Sequence, residues 1–194
     1  RGIEMQKLNL PNKLTLIRMF LAPIYLALML IEFPYHYIVA LAVFAVASLT
    51  DMLDGKIARK NNLITVFGKL LDPLADKMLT TAALLAFMRE GWCSIMIVLP
   101  REFAVAGVRL IATAQGIVIP ANYWGKAKTV SQMVFTIVIM LLAELDATFD
   151  IFANAGWFTL ARVSNIMLWI TAVLTVVSGI TYFVDSKKLI DFSK

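Results

Sequence analysis

Of the 194 residues, only one is a cysteine and only one a histidine. Cys93 has no second thiol to join, which excludes an internal disulfide and a thiolate-held metal. His36 stands beside Pro34, Tyr35 and Tyr37, the setting of an interfacial turn, which argues against histidine-based acid–base catalysis and zinc chemistry. Charge is scarce as well: Asp, Glu, Lys and Arg together make up 16% of the chain, against 60% apolar residues. With a mean hydropathy of +0.80, the chain carries more apolar surface than a soluble domain can bury, and it reads as an all-α integral membrane protein. Its formal charge of +5 is better explained by cytoplasmic loops rich in Lys and Arg than by nucleic acid. No internal repeat, low-complexity tract or second domain is visible, so residues 1–194 are expected to form one membrane domain. The polar, basic start followed by an apolar run resembles a signal peptide only superficially, because no small-residue cleavage site follows and further apolar runs do.

A helix needs about 20 residues to cross a bilayer, and that requirement sets the expected spans at about 14–32, 37–58, 68–88, 93–114, 123–143 and 163–184. Two of them are informative because their clean apolar runs are too short. The run Tyr37–Leu49 must continue through Asp51 and Asp54 towards Ala58. The run Met78–Met88 must reach back to about Gly68, which takes Asp72 and Asp76 into the helix and tolerates Pro73 in a first turn. Residues 1–10 are expected to form a short interfacial helix that Pro11 ends. Trp92, Trp157 and Tyr182 are expected in interfacial belts. Six spans put both termini on one side. The N-terminal segment, the 56–69 loop, the 109–128 turn and the tail hold 14 of the 18 basic residues, and the opposite loops hold only Arg89 and Arg162. The asymmetry predicts that both termini, and the aspartate-bearing helix ends, are cytoplasmic.

Asp51, Asp54, Asp72 and Asp76 carry the chemistry. On a helix a three-residue step leaves side chains about 60° apart and a four-residue step about 40°, so each pair can point one way from its own helix. An N-cap or solvated-loop role would suit any one of these aspartates, but not four at these spacings in two helices that must be extended to reach them. Four carboxylates near lipid repel unless a cation compensates them. Mg²⁺ and Mn²⁺ prefer oxygen ligands, so a divalent metal site is the expectation. Gly55 and Gly68 remove side chains where a base or phosphate would approach the backbone, Ala58 keeps the same face small, and Arg59 offers a planar donor fork suited to phosphate. Close helix packing is the competing account of the Gly and Ala positions.

The string Asp51-x2-Asp54-Gly55-x2-Ala58-Arg59-x8-Gly68-x3-Asp72-x3-Asp76 matches, without departure, the signature of the CDP-alcohol phosphotransferases. The chain therefore resembles that family of six-helix membrane enzymes, which move a phosphatidyl or related group from a cytidine diphosphate donor to an alcohol. The resemblance implies that the four aspartates hold one or two divalent ions and that Asp76 is also the general base. It further implies that Gly55, Ala58, Arg59 and Gly68 line the cytidine diphosphate pocket, with Thr65 as a phosphate contact. A homodimer in the bacterial cytoplasmic membrane is implied in the same way.

Softer likenesses point to the branch of the family whose acceptor is glycerol 3-phosphate: Pro11-Asn12-Lys13-Leu14-Thr15-Leu16-Ile17-Arg18, Arg101-Glu102, Gly107-Val108-Arg109 and Gly125-Lys126-Ala127-Lys128-Thr129. Asn12 and Thr15 fall in this way to the CDP-lipid, and Arg18, Arg101, Arg109, Lys126 and Lys128 to the acceptor phosphate. Glu102 and Arg109, seven residues apart on one helix, could instead pair with each other, and Arg18, Lys126 and Lys128 could be interfacial anchors. The expected reaction joins CDP-diacylglycerol to sn-glycerol 3-phosphate and releases CMP. The alternatives are the same chemistry with inositol phosphate, serine or phosphatidylglycerol as acceptor, and a cation transporter with the aspartates as its transport site.

Overall fold

The computed structural model describes residues 10–60, 66–115, 123–153 and 156–187. Side chains are described throughout these segments except at 10, 11, 52–60, 66–73, 76, 89, 90, 92, 113 and 114. Six helices account for the regular structure among the described residues: α1 (Leu10–Leu30), α2 (His36–Lys60), α3 (Val66–Ala86), α4 (Met88–Ala114), α5 (Tyr123–Phe149) and α6 (Leu160–Lys187). They form two compact units, residues 1–86 and 87–194.

In the first unit, α1 packs along both α2 and α3, which touch each other only slightly. The buried positions of α1 are Asn12, Thr15, Arg18, Ala22 and Tyr25, a three- and four-residue spacing that makes one stripe. Its upper half is polar and its lower half apolar. Opposite it, α2 buries Ala40, Phe44 and Ala47, with the Tyr25 and Phe44 rings 5.5 Å apart. A turn joins the two helices at Tyr35 (φ 64°), and His36 lies 3.0 Å through Nδ1 from the Phe33 carbonyl oxygen, in keeping with a turn histidine.

In the second unit, α6 is the central helix, in contact with both α4 and α5. Its buried face is built of small residues, including Ser164, Thr171, Ala172, Thr175, Ser178 and Gly179, while Val173, Ile180 and Val184 face outward. Small side chains inside and large apolar ones outside is the pattern of helices that associate in lipid, where close backbone approach replaces the hydrophobic drive. Gly91 breaks the helical geometry near the start of α4 (φ −152°, ψ 46°). A Cβ there would lie 2.4 Å from Leu168 Cδ1 and 2.9 Å from Ser94 Oγ.

Among the described residues, three helices are long and apolar enough to cross a membrane: Asn12–Leu30, Tyr123–Phe149 and Leu160–Lys187. The apolar parts of α2 and α3 are shorter, His36–Asp51 and Lys77–Ala86, as the sequence anticipates, yet both helices run on without a break through the aspartates. Several expectations need correction. Pro11 lies in the first turn of α1, where its missing N–H has no helical partner to lose. Pro73 is not in a first turn, because α3 begins at Val66. Tyr182 belongs to no interfacial belt: it is buried with Val105, Val108 and Ala112, since α6 turns that face towards α4. Trp157 is 72% exposed, with the Arg162 guanidinium 4.8 Å from its ring. The expected interfacial helix falls on residues 1–9, outside the described residues, apart from Leu10, which opens α1.

Candidate active site

In the first unit the aspartates occupy the last turns of α2 and the middle of α3. Arg18, with no exposed surface, donates from Nη1 to Asp51 Oδ1, whose side chain is 44% exposed. An arginine buried in an apolar span requires an anion, because an unpaired charge there costs several kcal/mol, and Asp51 is the anion α2 provides. Arg18 meets Asp51 and Tyr25 meets Phe44, so each step forward along α1 matches an equal step back along α2. Continued one turn, that register sets Thr15 level with Asp54 and Asn12 level with Ile57 and Ala58. The polar half of α1 therefore runs beside the signature segment of α2.

Asp72 and Asp76 lie in α3 in register with Leu79 and Ala83, which are buried. The side chains of Asp54, Gly55, Ala58, Arg59, Gly68, Asp72 and Asp76 are outside the described residues, as is Thr65 altogether. Among the described residues no three metal-ligating side chains converge. Of the four aspartates, Asp51 is the one whose side chain is described; it offers carboxylate oxygen, the donor type a hard cation prefers, and already draws a positive charge to it.

In the second unit a charged cluster lies inside the bundle. Lys128 Nζ donates to Glu102 Oε1, and Arg101 Nη1 donates to the same oxygen at 3.3 Å. Arg101 Nη2 donates to Ser178 Oγ on α6. Glu102 is 6% and Lys128 2% exposed. Two cations, one from α4 and one from α5, share one carboxylate, in a place where a charge must be paired. Arg101 Nε is buried without a hydrogen-bond partner. One turn along α5, Gln132 Nε2 is buried and unpartnered too, as is Thr175 Oγ1 on α6. Buried polar atoms are nearly always hydrogen-bonded, so these three are exceptions to the rule.

Of the five expected acceptor cations, the structure gathers Arg101 and Lys128 into this cluster. Arg109 is exposed further along α4, its guanidinium 5.9 Å from the Tyr182 ring centroid. Lys126 is exposed on the first turn of α5. Arg18 lies in the first unit on Asp51. Glu102, the alternative partner for Arg109, bonds to Lys128 and Arg101. Sequence reasoning missed two residues of α6: Ser178, which accepts from Arg101, and Gly179, which leaves it room. Their one signal is a pair of small residues in an uncharged stretch of α6.

With the helices and these sites in view, the chain belongs to the CDP-alcohol phosphatidyltransferase family: the model of that family matches residues 8–177, across both units. It is thus a member of a family of enzymes that generally depend on a divalent metal. A relative from Bacillus subtilis (strain 168) is 39% identical over 191 residues, covering 90% of this chain and 93% of its own. One from Rickettsia bellii (strain RML369-C) is 35% identical over 183 residues, covering 93% and 96%. Both are named CDP-diacylglycerol–glycerol-3-phosphate 3-phosphatidyltransferase. A protein of Mycobacterium tuberculosis (strain ATCC 25618 / H37Rv), named probable phosphatidylglycerophosphate synthase, is 39% identical over 132 residues, covering 65% of this chain and 63% of its own.

Proposed function

We propose that this chain transfers the phosphatidyl group of CDP-diacylglycerol to sn-glycerol 3-phosphate, giving phosphatidylglycerol phosphate and CMP. The relatives' names support the pair of substrates, and one observation carries the acceptor: the buried cluster in which Arg101 and Lys128, from two helices, are gathered on Glu102. Two converging cations suit a phosphate-bearing acceptor, whereas a neutral acceptor such as serine has no use for them.

Asp51, Asp54, Asp72 and Asp76 hold one or two Mg²⁺ or Mn²⁺ ions, which when bound neutralise the pyrophosphate and the departing CMP. Asp76 takes the proton from the primary hydroxyl of the acceptor. The oxygen attacks the β-phosphorus bearing diacylglycerol, and the bond from that phosphorus to the CMP oxygen breaks. Arg59 stabilises the charge that develops on CMP. Asn12, Thr15, Gly55, Ala58, Thr65 and Gly68 accommodate the cytidine diphosphate, while Arg101 and Lys128 hold the acceptor phosphate, with Arg109 and Lys126 further out. All six helices cross the bacterial cytoplasmic membrane as a homodimer, with both termini and the active site cytoplasmic.

Purified protein incubated with CDP-diacylglycerol and a panel of acceptors tests this. CMP release should require divalent metal, stop on chelation, and occur with glycerol 3-phosphate but not with serine, inositol phosphate or phosphatidylglycerol. Neutralising Arg101 or Lys128 should raise the acceptor KM roughly ten- to hundredfold, as expected for losing a charge-assisted contact. Preference for another acceptor would remove the synthase assignment and leave the broader phosphatidyltransferase chemistry. Cation flux without CMP release would replace it with transport.

A further inference from the structure

We propose that Glu102 is a positioning residue of the acceptor pocket: its buried carboxylate holds Arg101 and Lys128 at the spacing the acceptor's phosphate requires. The inference rests on the reading that these two cations bind that phosphate. Three features of the cluster carry it. Lys128 comes from α5 and Arg101 from α4, and both donate to one oxygen, Glu102 Oε1; the carboxylate is therefore a tie between the two helices' cations. Arg101 is also held from a third helix, where Ser178 Oγ accepts from Nη2. Gly179 leaves it room, since a Cβ there would come within 3.2 Å of Arg101 Cγ. Finally, Arg101 Nε is buried with no partner, so the fork fixed by Glu102 and Ser178 keeps a donor in reserve. A planar guanidinium with a free donor suits a phosphate oxygen.

Two effects of removing the carboxylate oppose each other. The pocket becomes more positive, which by charge alone would tighten phosphate binding. The two cations also lose their shared anion and repel, and the flexible lysine stem can carry its ammonium away towards water. An incoming phosphate must then reassemble the site. Positioning predicts weaker binding and simple charge predicts tighter binding, so the sign of the change separates the two.

The test uses the full-length enzyme in lipid nanodiscs, with steady-state kinetics on both substrates for Glu102→Gln, Lys128→Gln and the double variant. Glu102→Gln is expected to raise the acceptor KM about tenfold, with kcat within about threefold and the donor KM unchanged, the pattern of lost uniform binding. Glu102→Asp should recover part of the loss. In the Lys128→Gln background, Glu102→Gln should add less than about twofold, because the two residues act as one unit. A fall in acceptor KM on Glu102→Gln, or fully additive effects, overturns the proposal. If Lys128→Gln and Arg101→Gln alone leave the acceptor KM unchanged, the acceptor-site reading itself fails, and the proposal with it. Should Glu102→Gln not fold, Gly179→Ala keeps every charge and displaces Arg101. It should raise the acceptor KM selectively; an equal rise in both KM values overturns the proposal.

Discussion

Arg18 shows how one residue can answer a problem posed by another. Its guanidinium has no exposed surface, and the anion that pairs with it, Asp51, comes from α2. Each compensates the other, so the metal-free site retains a local cation. Replacing Arg18 with Gln should lower the stability of metal-free protein by about 1–3 kcal/mol, less than a fully buried pair would lose because Asp51 is half-exposed. Thermal unfolding in detergent measures this, and an unchanged midpoint would show that the pair contributes nothing. The aspartates themselves are tested by turnover. Asp51→Asn, Asp54→Asn, Asp72→Asn and Asp76→Asn should each reduce the rate by about two to four orders of magnitude. Insertion should survive, because it depends on the apolar spans, and elution as a monodisperse species checks it. Near-normal rates in Asp51→Asn, Asp72→Asn or Asp76→Asn would remove the site assignment. The spacing of these four residues is legible in the chain, and so is their place on two helices, α2 and α3. The partner of Arg18 is not, because it lies on another helix and only the register of α1 against α2 brings it there.

At the scale of the helix, small residues decide what can approach. Gly91 lets α4 lie against Leu168 of α6, where any Cβ would meet Leu168 Cδ1 at 2.4 Å. Gly91→Ala should therefore cost about 1–3 kcal/mol by overpacking. Leu168→Ala in the same background should recover part of that loss, because it removes the atoms in the way. Additive losses in the thermal midpoint would mean that the contact is not the cause. Helix continuity through Asp51, Asp54, Asp72 and Asp76 is readable beforehand, because the apolar runs alone are too short to cross. The ends of the helices are less so: α5 continues to Phe149, where Asp150 adopts positive φ (48°) and its N–H bonds to the Asp146 carbonyl, a left-handed cap that hydropathy does not register. Tyr182 was misread for a related reason. A tyrosine near a span end has the composition of a belt residue, and only the packing of α6 on α4 shows its ring to be buried.

For the molecule as a whole, the two units have different interiors. The first has a polar stripe on α1 beside the signature helices, and the second a charged cluster lined by hydroxyls. Orientation in the membrane rests on the uneven distribution of 14 basic residues against 2 between the loop faces. In a Cys93→Ser background, single cysteines at Asn62 and Ile190 should react with an impermeant thiol reagent only from the cytoplasmic side, and one at Asp150 only from outside. The reverse pattern would place the aspartates away from CDP-lipid and cytosolic glycerol phosphate.

The chain by itself determined the helical class, the continuity of α2 and α3 through the aspartates, and the four-carboxylate signature. These depend on local periodicity and on the thickness of a bilayer, both of which act along the sequence. Which anion each buried cation meets was decided only by tertiary structure. Lys128 and Arg101 converge on Glu102, and Arg18 finds Asp51, through the register and crossing of separate helices. Hydropathy cannot encode that register, because it counts charges on a helix without recording which side chain of the neighbouring helix lies at the same height.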